Sequence, residues 1–179
     1  MDKQRKVGQK MKKIAIVGPE STGKTQLTRS LARRYNTVWV AEYAREYLEK
    51  LDRPYEADDL ILIAQGQLDA EKAAGAWANR WLFCDTNLLV IDIWSQVKYG
   101  ETHPAIVRAM ELDSYALHLL TAPDLPWEPD PLREHPHARD ELFVQYENAL
   151  QQAGVPYAVI QGKGDERVQQ AIDLIDALA

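Results

Sequence analysis

The chain has 179 residues, of which 46% are hydrophobic, and a formal net charge of −6. That length suits one domain with a real core, and that apolar content excludes a disordered chain. The acidic balance sets up no global positive field, which argues against general nucleic-acid binding. No apolar run is long enough to span a bilayer, and the N-terminus lacks a signal-peptide apolar region, so the expected setting is cytoplasmic with no membrane partner. The one cysteine, Cys84, lies in an apolar stretch and reads as a buried structural thiol.

Residues 1–10 are polar and basic and read as a solvated extension, with Met11 as the alternative start of the domain 11–179. Ile14, Ile16 and Val17 then suit a buried parallel strand. Gly18-x-x-x-x-Gly23-Lys24-Thr25 follows at once, and Leu27, Leu31 and Tyr35 recur at helical spacing with Arg33 and Arg34 in the last turn. Strand, glycine loop and helix in that order make a nest of backbone N–H groups at a helix N-terminus, which binds phosphate. The loop Gly18, Glu20, Ser21, Thr22 and Gly23, with Gln26 beyond it, is expected to cradle the phosphates of ATP. Lys24 is expected to reach the β- and γ-phosphates and Thr25 to ligate Mg²⁺. Pro19 and Glu20 stiffen and charge the loop with no evident purpose at this level.

Thr37–Ala41 reads as a second strand and 42–51 as a helix, interrupted by Asp52-Arg-Pro-Tyr. Residues 57–77 form a long helical stretch. Trp81–Cys84 is a third strand ending at Asp85, and 88–98 is a helix stopped by Tyr99-Gly100. His103-Pro104 opens a helix to Leu112, and 115–120 is a fourth strand. Residues 123–138 hold five prolines and belong to no regular element. A helix over 139–153, a strand over 157–160 and a helix over 164–179 complete the chain. This alternation implies a parallel sheet with helices on both faces. The expected architecture is an α/β P-loop NTPase three-layer sandwich with five parallel strands. By analogy with such sandwiches the strand order is 2-3-1-4-5.

Ligands of open α/β sheets sit at the carboxyl ends of the strands, so charged residues there come first. Glu42 follows strand two and is a candidate to accept a proton from a hydroxyl, or else simply a favourable charge at a helix start. Arg45, one turn on, is a candidate clamp for an anion or a sugar hydroxyl. Asp85 ends strand three and admits three readings: orienting Mg²⁺, acting as the base, or capping the next helix. The segment at about 123–139 is expected to be a lid. Arg133 and Arg139 would stabilise phosphoryl charge and Trp127 would offer a flat face to a ring. His135 and His137 lack the companions of a metal site.

Four stretches in order, Gly18-Pro-Glu-Ser-Thr-Gly-Lys-Thr25, Glu42-Tyr-Ala-Arg45-Glu46, Phe83-Cys-Asp-Thr86-Asn87 and Trp127-Glu-Pro-Asp-Pro-Leu-Arg133, resemble the ribosylnicotinamide kinase domain of the NadR family, a group of P-loop kinases. The resemblance implies Mg²⁺- and ATP-dependent phosphorylation of the ribose 5′-hydroxyl of nicotinamide riboside, in NAD salvage. It implies catalytic roles for Lys24, Glu42, Asp85 and Arg133. It also implies an acceptor site of Glu42, Tyr43, Arg45, Asp85, Asn87 and Trp127. Two departures stand out. No room exists for the family's DNA-binding and nucleotidyltransferase modules, so a free-standing kinase is expected. The family's Asp-Thr-Asp is also Asp85-Thr86-Asn87 here, which removes a charge near the acceptor. A kinase for another nucleoside or small alcohol, and a slowly hydrolysing ATP switch, are the alternative readings.

Overall fold

The computed structural model describes residues 10–178, so the basic extension expected over residues 1–10 lies almost wholly outside the described residues. The chain alternates strand and helix: β1 (Lys12–Val17), α1 (Lys24–Arg34), β2 (Trp39–Val40), α2 (Tyr43–Glu49), α3 (Ala57–Gly75), β3 (Trp81–Asp85), α4 (Leu88–Tyr99), α5 (Pro104–Leu112), β4 (Leu117–Thr121), α6 (Arg139–Ala153), β5 (Tyr157–Ile160) and α7 (Asp165–Asp176). The five strands form one parallel sheet in the order β2-β3-β1-β4-β5, as the analogy had it.

β1 lies at the centre, and its side chains alternate between the two faces. Ile14 and Ile16 pack under α1 and α7 with Leu27, Leu31, Phe83 and Ile175. Ala15 and Val17 pack on the other side, against Leu89 and Ile93 of α4 and Leu142 and Leu150 of α6. Both faces are covered, so the strand is a continuous apolar run rather than an alternating one. Burying each of the larger side chains, such as Ile14, Ile16 and Val17, contributes roughly 1.5–3 kcal/mol. Leu60 and Ile63 of α3 join Leu88 and Ile91 of α4 and Ile106 of α5 in a further cluster. Among the described residues no helix is long and apolar enough to cross a membrane.

Two strands differ from expectation. β2 keeps two residues of the expected five, because Thr37 turns its hydroxyl to the Trp81 carbonyl at 2.7 Å and accepts the Asn79 N–H at 3.0 Å. A hydroxyl that bonds the neighbouring backbone replaces ladder pairing at that end. β4 starts at Leu117 instead of Tyr115 and runs on through Thr121. The Tyr115 hydroxyl instead joins a polar cluster, donating to Glu71 at 2.9 Å, while Lys13 bonds Glu71 at 2.8 Å and Asp113.

The crossovers from β1 and β3 leave for opposite faces, α1 joining one apolar cluster and α4 the other. The carboxyl ends of those two neighbouring strands therefore open onto a crevice. α2 closes one wall of it by lying directly on α3, and Gly66 permits that approach. A Cβ at Gly66 would overlap the Tyr43 ring. Gly66→Ala is expected to cost roughly 1–3 kcal/mol through overpacking, read as a lowered midpoint in denaturant unfolding. An unchanged midpoint would show that α2 does not depend on this contact.

Candidate active site

A cavity of about 720 Å³ opens at the carboxyl ends of the strands. Its lining includes the phosphate loop, 18–25, and a wall from the connection between α2 and α3 and from α4 that includes Tyr55, Trp94 and Lys98. Glu42 and Arg45 also line it, as do Arg133, Glu134 and His135 of the proline-rich segment.

The loop keeps its shape through unusual backbone angles and a set of polar ties. Gly18, Ser21 and Gly23 have φ of 135°, 55° and 78°. At Gly18 a side chain would drive into Thr121, whose hydroxyl and carbonyl lie 2.7 and 2.8 Å from an added Cβ. The Thr22 hydroxyl donates to the Pro19 carbonyl at 2.8 Å and lies 2.7 Å from the Thr121 hydroxyl. Lys24 folds over the loop and donates to the Gly18 and Pro19 carbonyls at 3.0 and 2.7 Å. α1 starts at Lys24 with no side-chain cap, which leaves its first N–H groups to face an anion.

Asp85 lies under the loop, 1% exposed. Its Oδ2 accepts the Thr25 hydroxyl at 2.5 Å, and among the described residues its Oδ1 has no hydrogen-bond partner. A buried, unpaired carboxylate oxygen beside a threonine hydroxyl is a donor set that fits a hard divalent cation. Burial pushes the Asp85 carboxyl up, while the Thr25 hydroxyl and Lys24 pull it down. Burial also pushes Glu42 up, opposed by Lys24 and reinforced by Asp85. The same burial lowers Lys24, opposed by Glu42 and Asp85. Gln67, 1% exposed on α3, accepts the Tyr43 N–H at 3.0 Å and so fixes the chain just past Glu42.

The segment between β4 and α6 is tied to this loop by polar contacts. The Glu20 carboxylate accepts the Glu134 N–H at 3.1 Å and the His135 N–H at 3.0 Å. Ser21 Oγ accepts the Glu128 N–H at 2.8 Å and lies 3.4 Å from Arg133 Nη1. Arg139 donates to the Ser21 carbonyl at 3.2 Å and the Leu125 carbonyl at 2.9 Å. Across the cavity Arg45 pairs with Asp130 at 3.0 Å.

A family model described as an AAA domain matches residues 13–167. The chain belongs to that family. Among curated relatives, the trifunctional NAD biosynthesis/regulator protein NadR of Salmonella typhimurium is 30% identical over 124 residues, 67% of this chain and 30% of that protein. The chain thus spans under a third of the relative's length. A crystal structure of NadR protein in complex with NR superposes with a TM-score of 0.76 at 24% identity, covering 93% of this chain and 51% of that one. Deoxyadenosine kinase from M. mycoides, with products dCMP and dCDP, superposes with a TM-score of 0.66 at 14% identity, covering 92% and 99%. The fold is that of P-loop kinases, and the resemblance to NadR holds.

In this AAA-domain chain the expected residues divide into two groups. Gly18, Glu20, Ser21, Thr22, Gly23, Lys24, Thr25, Gln26, Glu42, Arg45 and Arg133 line the cavity, with Asp85 beneath Thr25. Tyr43, Asn87, Trp127 and Arg139 are not part of its lining. Asn87 is 3% exposed and caps α4, its Oδ1 accepting the Leu89 N–H at 3.2 Å. Thr86, at φ 70°, turns the chain so that this cap forms. The Tyr43 ring packs on α3. Trp127 has the guanidinium groups of Arg133 and Arg139 at 5.9 and 5.8 Å from its ring, so its face meets arginines.

Sequence reasoning missed Arg167. It is 4% exposed on α7 and bonds the Thr22, Ala122 and Gly162 carbonyls and Asp124. A lone arginine in the first turn of an amphipathic helix carries no signal of this. Tyr55, Trp94 and Lys98 were also missed, and the break at 52–55 that aims Tyr55 was the available hint.

The Glu20 contact generates a direct expectation. Glu20→Gln keeps the size but removes the charge that two N–H groups share. Amide exchange at Glu134 and His135 should rise about tenfold, the scale of one charge-assisted hydrogen bond, as measured by hydrogen–deuterium exchange. Unchanged exchange would mean that Glu20 does not hold the segment.

Proposed function

We propose that the chain is an ATP- and Mg²⁺-dependent kinase that phosphorylates the ribose 5′-hydroxyl of nicotinamide riboside. The observation that carries this reading is one cavity lined by a phosphate loop, by Glu42 and by an aromatic wall. A slowly hydrolysing switch needs no such wall. The likeness to NadR supports the choice of acceptor.

The phosphate loop positions the triphosphate, and Lys24 supplies a point charge to its β- and γ-oxygens. Thr25 and Asp85 would hold Mg²⁺, which neutralises phosphate charge when bound. The 5′-oxygen attacks the γ-phosphorus, the bond to the β,γ-bridging oxygen breaks, and ADP leaves with that electron pair. Glu42 accepts the hydroxyl proton. It is the better base of the two carboxylates, because it faces the cavity while Asp85 is engaged by Thr25. Arg133 lines the cavity at the loop and supplies charge to the phosphoryl group in transit. The segment at 123–139 serves as a lid that excludes water.

Incubation with ATP–Mg²⁺ and nicotinamide riboside should give acceptor-dependent ADP release and an acceptor heavier by one phosphoryl group in mass spectrometry. ADP release indifferent to every nucleoside tried would overturn the kinase reading. Lys24→Ala should cut turnover by orders of magnitude and weaken ATP binding.

Glu42→Gln should lower kcat by about 10²–10⁴-fold. Burial raises Glu42 above its ordinary value of 4.5. The base is protonated and idle below the raised value, so the acidic limb of kcat/KM should lie above pH 4.5 and vanish in Glu42→Gln. Asp85→Asn should be partly rescued by added Mg²⁺ and Glu42→Gln should not. The reverse pattern would exchange their roles.

A further inference from the structure

The acceptor end of the cavity is apolar and aromatic, with Tyr55, Trp94 and Val97 in its wall. Such a wall fits a planar ring, and neighbouring cations decide which ring charge it tolerates. The Tyr55 ring is already covered by a cation. The Lys98 ammonium stands 3.5 Å from its centroid. Tyr55 and Trp94 meet edge-on with centroids 4.8 Å apart, and the Tyr55 hydroxyl accepts the Trp94 indole N–H at 2.7 Å. That bond keeps the ring under the ammonium.

The other cations of the wall are committed. Arg53 makes two bonds to Asp59, at 2.8 and 2.9 Å, and Arg45 pairs with Asp130 at 3.0 Å. Lys98 has a long contact to Glu134, at 3.4 Å, and both side chains are partly in water, 33% and 42% exposed, although the Tyr55 hydroxyl also donates to that carboxylate at 3.0 Å. A screened pair of that kind is easily exchanged for a better anion. The pyridinium ring of nicotinamide riboside is a cation, and on this wall it approaches a like charge. The same riboside with a carboxylate in place of the carboxamide is net neutral, and its carboxylate is a direct partner for the Lys98 ammonium.

We propose that the site also phosphorylates the carboxylate-bearing pyridine riboside, with Lys98 binding the carboxylate and setting the preference for the acid over the amide. This rests on the riboside-kinase reading above. The transfer balances as before: the 5′-oxygen bonds to the γ-phosphorus, the bridging bond to ADP breaks, and Glu42 takes the proton. The carboxylate takes no part in the chemistry.

The test measures initial rates of the full chain with ATP–Mg²⁺ and either nicotinic acid riboside or nicotinamide riboside, for the unaltered protein and for Lys98→Met. The unaltered protein should use both, with kcat/KM higher for the acid. In Lys98→Met the acid should lose about fivefold in kcat/KM through KM, the scale of one partly exposed charge pair, while the KM of the amide falls. Opposite movements of the two KM values are the signature, since a general structural defect would weaken both acceptors together. Phosphorylation of the amide alone, or a ratio unmoved by Lys98→Met, would overturn the proposal and leave the kinase reading standing. Turnover of neither riboside would overturn both.

Discussion

The phosphate loop must hold its backbone in angles that most residues avoid, and the site is assembled around what holds it there. Part of the hold comes from the sheet, since β4 ends in Thr121 and its hydroxyl donates to the Val17 carbonyl at 3.1 Å while meeting Thr22. The rest comes from behind, where Arg167 is buried against the Thr22 carbonyl. A buried guanidinium is tolerated only with its donors satisfied, and here three carbonyls and Asp124 satisfy them. Asp124 stands at the start of the proline-rich segment and also accepts the Gly162 N–H at 2.6 Å. One side chain therefore ties the phosphate loop, the start of that segment and the β5–α7 turn together.

The same burial that shapes the cavity sets its charges against one another. Glu42 and Asp85 are pushed up, each restrained by Lys24, and Lys24 is pushed down, restrained by both carboxylates. Ionising the two carboxylates costs the folded chain stability as pH rises from the ordinary carboxylate range. Asp59 has the opposite sign. Arg53, the Glu56 N–H and Tyr47 hold it low, so it contributes stability above that range that is lost on acidification. Burial also pushes Glu71 up, on the same helix as Asp59, so α3 carries one carboxylate of each kind.

Legibility followed how local each interaction is. β1, the phosphate loop and α1 were readable because consecutive residues carry all three, and the apolar run of β1 reflects cover on both faces. Asp85 was readable as a residue but not as a role. Its fit to a cation rests on Thr25, 60 residues away in sequence, and on an oxygen with no partner. Asn87 and Tyr43 were placed at the acceptor on resemblance, and Trp127 on its flat face as well. The structure instead uses Asn87 as a cap, Tyr43 in the α2–α3 packing and Trp127 beside two arginines. The charge of Glu20 had no evident purpose in the sequence, and in the structure it accepts the Glu134 and His135 N–H groups.

By itself the sequence determined the alternation of strands and helices, the buried character of the sheet and the presence of a phosphate-binding nest. Periodicity and glycine placement act within a few residues, and so they survive in the order of the amino acids. Only the tertiary structure decided which side chains share the cavity, that Arg167 stands behind the loop, and that Lys98 covers Tyr55. Those are encounters between segments tens of residues apart, set by how the helices pack on the sheet, and no local pattern records them.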